Sequence, residues 1–149
     1  MQMATLTRSI TIHAPVSTVF DIALDIGRLW NAEDVALAAV DIKPGGVGTS
    51  ARLYSHLLGF HIEGGLEYTE VVPQERIVAQ VHFFAEKPTW TFTFSEADGD
   101  TTVTAVGEWV VKVAVVARPI EGVMVREHES FLEGILEHLK SQAEAQVAA

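Results

Sequence analysis

The sequence predicts an α+β domain in which a curved antiparallel β-sheet wraps around a long C-terminal α-helix, with two short helices after the first strand. Three observations carry this. Residues 119–146 hold one apolar stripe at helical spacing, with Phe131, Leu132, Ile135, Leu136 and Leu139 on a single face at 100° per residue. Residues 35–111 read as strands and turns without a helical period. A strand at 6–13 runs directly into a short amphipathic helix. One amphipathic helix buries its face only against another layer, so the sheet must curl around it. Such an arrangement leaves space for a ligand between the two.

The elements follow in order. Leu6, Ile10 and Ile12 flank polar Thr7, Arg8, Ser9 and Thr11 as weakly alternating strand. Ala14-Pro15 opens a helix, with Pro15 expected at its first helical position, and Val16, Val19, Phe20, Ala23 and Leu24 form its buried face. Gly27 is expected to end it, and Arg28-Leu29-Trp30 starts a second short helix or turn. A strand at 35–42 stops at Pro44-Gly45-Gly46, and further strands are expected at 49–58, 60–72, 76–85, 89–94 and 102–111. Gly64-Gly65 reads as a bulge or sharp bend in the strand at 60–72. Asp98-Gly99 is a two-residue hairpin turn.

Alternation assigns the faces. Trp90, Phe92 and Phe94 oppose Thr89, Thr91 and Thr93, so the aromatics face inward, while Val103, Ala105, Gly107, Trp109 and Val111 oppose Thr102, Thr104 and Glu108. Mixed sizes on one face either pack solidly on a helix or line a pocket, and the pattern leaves both open. Extending the C-terminal helical stripe towards its start brings in His128, Met124, Val125 and Glu121, with Arg126 on the opposite side. An isolated buried charge is expensive, so these polar positions are expected to meet a pocket, its mouth or a polar partner.

Bulk properties exclude several classes. A chain of 149 residues is one domain, 1–149, on the usual length prior. It has no cysteine, hence no disulfide and no thiolate ligand or nucleophile. A net charge of −10 argues against nucleic acid and anionic membrane surfaces, both of which need clustered Lys and Arg. No apolar run is long enough for a membrane span, and no charged-then-apolar leader opens the sequence, so a cytoplasmic protein, monomer or homodimer, is expected.

Metal and phosphate motifs fail on their details. His128-Glu129 is not followed by a second His, because Leu132 stands there. His61 and His82 alternate with apolar neighbours and are expected on the outer sheet face; His56 is ambiguous. Gly45–Ser50 lacks the Gly-Lys-Ser/Thr of a phosphate loop. Glu108 is expected to point outward. No metal and no cofactor is therefore expected. His128 remains, either as a core histidine bonded to a neighbour or as a polar handle facing a cavity, and no serine or carboxylate at a recognisable spacing makes it part of a triad.

The stretch from Ser9 to Asp21 (Ser-Ile-Thr-Ile-His-Ala-Pro-Val-Ser-Thr-Val-Phe-Asp), followed by Asp25 and Trp30, resembles the opening signature of the START-like (SRPBCC) superfamily, and more closely its polyketide cyclase/dehydrase-like branch. Gly46-Val47-Gly48-Thr49, Tyr68–Pro73 with Arg76-Ile77, and the Trp90–Phe94 strand also resemble it. The resemblance implies a helix-grip fold holding a hydrophobic cavity. It implies binding of a small hydrophobic molecule (lipid, sterol or polyketide-like) or, alternatively, a cyclase/dehydratase-type enzyme acting in the same cavity. Relatives that cyclise use Arg and Tyr on cavity strands, and this chain has no Lys or Arg between Arg52 and Arg76. The expected ligand-binding residues are Trp30, Leu53, Leu66, Tyr68 and Phe83, then Trp90, Phe92, Trp109, Met124 and His128. In the enzyme reading His128 is the acid or base and Tyr68 orients the substrate.

Overall fold

Seven strands form one antiparallel curved sheet in the order β1-β7-β6-β5-β4-β3-β2. The computed structural model describes residues 2–30, 35–57, 60–83, 87–111 and 118–149, with the backbone alone at 2, 57, 60, 83, 111 and 118–127. The elements are β1 (Gln2–Ile12), α1 (Val16–Leu24), α2 (Ile26–Leu29), β2 (Ala36–Asp41), β3 (Ser50–Leu57), β4 (Phe60–Val72), β5 (Arg76–Phe83), β6 (Thr89–Ala97), β7 (Asp100–Val111) and α3 (Arg118–Ala148). Strands β2 to β7 follow one another as a meander. The first strand closes onto the last, with Leu6 opposite Gly107 and Ile12 opposite Thr101. α3 packs mainly along β1 and α1.

The alternating side chains fall as expected. Trp90, Phe92 and Phe94 are buried, as are Val103, Ala105 and Trp109, while Thr93 and Glu108 are exposed. From the helix, Leu132, Ile135, Leu136, Leu139 and Ala143 are buried and Phe131 packs half-buried against the core. Each such aliphatic side chain contributes at most about 1.5–3 kcal/mol when fully buried, so the stripe on α3 outweighs any single polar contact along the helix. The Asp98-Gly99 turn takes φ of 55° and 83°, the doubly positive pair that a two-residue hairpin requires.

Three local expectations shift. Pro15 is the N-cap of α1, with ψ of 155°, and its carbonyl accepts from the Thr18 and Val19 amides. The free Val16 amide donates to Glu96 Oε1 at 2.8 Å, so a residue of β6 completes the cap that proline lacks. Gly27 does not end α1. Asp25 does, and its carboxylate then accepts from the Gly27 amide at 3.1 Å to start α2. Gly64 and Gly65 pair in regular register with both neighbours, and the β4–β5 irregularity lies between Tyr68 and Glu70. Glycine permits a bulge, but the ladder on both sides of β4 decides where the extra residue fits.

Polar contacts fasten α3 at both ends of its described face, to β1, to the turn that follows it and to α2. Arg8 shares the inner face with Leu6, Ile10 and Ile12, and its guanidinium reaches Glu129 at 3.3 Å and Glu133 at 3.5 Å, one turn apart. Near the other end, Glu144 Oε2 accepts from the His13 amide at 2.9 Å. Gln142 accepts from Arg28 Nε and donates to the Arg28 carbonyl. These contacts fix the rotation of α3, and with it the direction of His128.

Candidate functional site

Where β6 and β7 meet on the inner face, a small residue sits opposite a large one. Trp90 pairs with Gly107 on one side and Ala79 on the other. A Cβ built on Gly107 would lie 2.3 Å from the Trp90 ring, well inside any real contact. The indole therefore lies flat over the Gly107 backbone, and this glycine is there for close approach and not for an unusual φ.

Around that ring the aromatics converge. Trp90 and Trp109 have ring centroids 6.4 Å apart, and Phe131 of α3 is 6.3 Å from Trp90. The His128 ring lies 4.5 Å from Trp109 and 5.8 Å from Trp90, the latter edge-on. Trp30, at the end of α2, continues the cluster, at 5.8 Å from Phe131 and perpendicular to Phe92 at 5.9 Å. Leu53 and Leu66 extend the same face across β3 and β4 and are buried. The side chains of Phe83 and Met124 lie outside the described residues, so those two expectations stop at their backbones.

His128 enters this cluster as a polar group among carbon. Its Nε2 is sealed from solvent and has no hydrogen-bond partner among the described residues. Burial pushes the imidazole down to about 4, because the charged form loses its water and gains no counter-charge. It is therefore neutral at physiological pH, with one ring nitrogen free to accept a proton.

Tyr68 is differently placed. Its hydroxyl donates to the Ala23 carbonyl at 2.7 Å and is fully buried. Burial pushes the phenol well up, the Trp30 indole N–H opposes this, and the Asp25 carboxylate adds to it. That indole N–H neighbours the hydroxyl without reaching hydrogen-bond geometry and has no other partner among the described residues. Tyr68 thus ties β4 to the last turn of α1.

The remaining histidines on the sheet stay outside this centre. His56, His61 and His82 are all exposed, and His56 faces His61 directly across β3–β4 with ring centroids 4.3 Å apart. Among the described residues no group of three or more His, Cys, Asp or Glu is arranged to hold a metal ion. Two contributors escaped the sequence reading. Gly107 was visible as an inward small residue, yet only the cross-strand register tells which ring it must admit. Arg8 flanks the apolar residues of its strand in sequence, yet it is in phase with Leu6, Ile10 and Ile12, and that parity is the signal that turns it inward.

A curved antiparallel sheet gripping a C-terminal helix, with an aromatic cluster and the half-buried His128 between them, is a START-like helix-grip fold. The chain belongs to the family described as polyketide cyclase / dehydrase and lipid transport, whose model matches residues 3–144. No curated protein matches the sequence. Solved structures with the same fold include the Zhui aromatase/cyclase from Streptomyces sp. R1128, at 15% identity and TM-score 0.78 over 98% of this chain and 96% of that one. A START superfamily protein from Mycobacterium smegmatis is similar at 14% identity and TM-score 0.70, covering 95% of this chain and 98% of that one. A protein from Thermus thermophilus is similar at 18% identity and TM-score 0.73, covering 94% of this chain and 99% of that one. No helix among the described residues is long and apolar enough to cross a membrane.

Proposed function

We propose that this protein is a single-domain binder of a small, predominantly apolar molecule (lipid, sterol or polyketide-like), held non-covalently between the sheet and α3 with His128 as its polar contact. The observation that carries the reading is the buried Nε2 of His128, unpartnered among the described residues and enclosed by Trp90 and Trp109. Buried polar atoms are nearly always satisfied, and one left open inside an aromatic cluster calls for a partner from outside the chain. Membership in a family of cyclases, dehydrases and lipid transporters supports the same ligand class. The nitrogen is sealed, so a ligand reaches it by parting the rings packed on it, with Trp109 the nearest. Binding is accordingly expected to change tryptophan emission and the near-UV circular dichroism. The reading includes a cytoplasmic location, a monomer or homodimer, and no cofactor.

A second reading has one observation in its favour. A histidine with an open ring nitrogen lies inside the aromatic cluster, where a cyclase/dehydratase would use it to remove a proton from a poly-keto chain, although burial, by pushing it down to about 4, weakens it as a base. Tyr68 would have no proton to donate to the substrate in this arrangement, because its hydroxyl already donates to the Ala23 carbonyl.

The test is native mass spectrometry of the purified protein, followed by a thermal-shift screen of fatty acids, sterols and aromatic polyketides. A ligand specific to the folded state stabilises it by about 2.7 kcal/mol at a hundredfold excess over its Kd. Failure to find any co-purifying molecule, thermal shift or tryptophan response across those classes would refute the binding reading. Turnover of a poly-keto substrate that vanishes in His128→Phe would favour the enzyme.

A further inference from the structure

Resting on the binding reading, we infer that the site selects a neutral, hydroxyl-bearing ligand and rejects its carboxylate counterpart. The argument is one of charge supply. An anion buried in an apolar setting needs a cation or several donors beside it, or it remains in water. Among the described residues the aromatic cluster offers His128 Nε2 and the Trp30 indole N–H as its open polar atoms, and neither carries charge. Arg8 is the basic residue that reaches α3 from the inner face of β1, one position along the helix from His128. Its guanidinium is already held between Glu129 and Glu133, two carboxylates for one cation. Among the described residues, therefore, no cation beside His128 is left free for an incoming carboxylate. Glu108, the acidic residue of β7 next to Trp109, lies exposed on the outer face and does not enter the site.

A hydroxyl fits where a carboxylate does not. A neutral imidazole has one donor and one acceptor nitrogen, and a hydroxyl both donates and accepts, so it satisfies Nε2 in either tautomer. It brings no charge to be desolvated, and the flat rings around the nitrogen supply stacking and edge contacts for the ligand's carbon frame. A carboxylate would bind as an ion pair only by protonating His128. With the imidazole held down near 4, the protonated form at neutral pH is populated on the order of one part in a thousand.

The experiment uses three probes of one ring frame, namely naphthalene, 2-naphthol and 2-naphthoate, titrated against the full chain by tryptophan quenching and calorimetry at pH 7. 2-Naphthol is expected to bind roughly tenfold or more tightly than the other two, the usual effect of satisfying a buried polar atom. In His128→Phe, which keeps an aromatic ring in place, the ratio of 2-naphthol to naphthalene affinity is expected to fall to about one. His128→Gln, which restores a polar atom, is expected to recover part of it. Lowering the pH from 7 towards 5 is expected to leave 2-naphthol binding flat. Naphthoate binding equal to or tighter than that of 2-naphthol at pH 7 would overturn the inference, as would a hydroxyl preference that survives in His128→Phe. Naphthalene and 2-naphthol binding equally well would also overturn it while leaving an apolar site intact. If none of the three binds, this inference is overturned, while the binding reading falls only if the wider screen of fatty acids, sterols and polyketides also fails.

Discussion

Replacing Gly107 by alanine isolates the contact on which the aromatic cluster is built. In an ordinary strand, Gly→Ala stabilises by roughly 0.5–1 kcal/mol, because the unfolded chain loses freedom and the strand gains a side chain. Here the new Cβ would meet three atoms of the Trp90 ring at 2.3, 2.7 and 2.7 Å. Trp90 has no room to retreat, being 2% exposed and hemmed in by Trp109, His128 and Phe131. Inserting a methyl into such a packed site costs about 1–3 kcal/mol. The sign is therefore reversed, to a net loss of about 1–2 kcal/mol, and a Tm lower by roughly 2–8 °C for a chain of this size. Urea unfolding with an unchanged m-value would measure the loss, and near-UV circular dichroism would report the displaced indole. In a Trp90→Leu background the clash is absent, so Gly107→Ala is expected to be neutral or stabilising, a coupling of more than about 1 kcal/mol. Gly107→Ala that is as stable as the parent, with the same near-UV spectrum, would refute the packing argument.

Two further outcomes follow from the buried polar groups. Because burial holds His128 down to about 4 from an ordinary 6.5, the unfolded chain takes up the proton first as the pH drops. Stability is thus lost as the pH falls from about 6.5 to about 4, by roughly 3 kcal/mol at most, and His128→Leu is expected to remove that dependence. An identical slope in parent and variant chains over this window would place the imidazole in water. His128→Leu is also expected to be neutral or stabilising at pH 8, since it removes an unpartnered buried nitrogen. Tyr68→Phe leaves the Ala23 carbonyl without its hydroxyl donor and is expected to lower stability by about 1–3 kcal/mol while leaving ligand affinity unchanged. A large loss of affinity in a folded Tyr68→Phe protein would return Tyr68 to the site.

Which faces are buried was legible from local pattern alone. Period two in Trp90, Phe92 and Phe94, and helical spacing in Phe131, Leu132, Ile135, Leu136 and Leu139, are local patterns enforced by backbone geometry, so they survive without knowledge of the partner. The Asp98-Gly99 turn and the bounds of β4 were legible for the same reason, because turn chemistry acts over a few residues. His128 stood out as a polar residue on an apolar stripe. Its neighbours did not, because Trp90, Trp109 and His128 come from three elements, and their meeting depends on the β6–β7 register and the rotation of α3. Pairing of β1 with β7 joins the first and last strands of the sequence and has no local signature; together with the placement of α3 it sets Arg8 beside Glu129 and Glu133. Tyr68 shows the same limit, since its alternation reads as an inward residue free for a ligand, whereas the path of α1 brings the Ala23 carbonyl to its hydroxyl. Burial pattern is a property of a residue and its near neighbours in sequence. Which buried polar atom finds a partner is decided by contacts between distant segments, and these exist only once the sheet has closed around the helix.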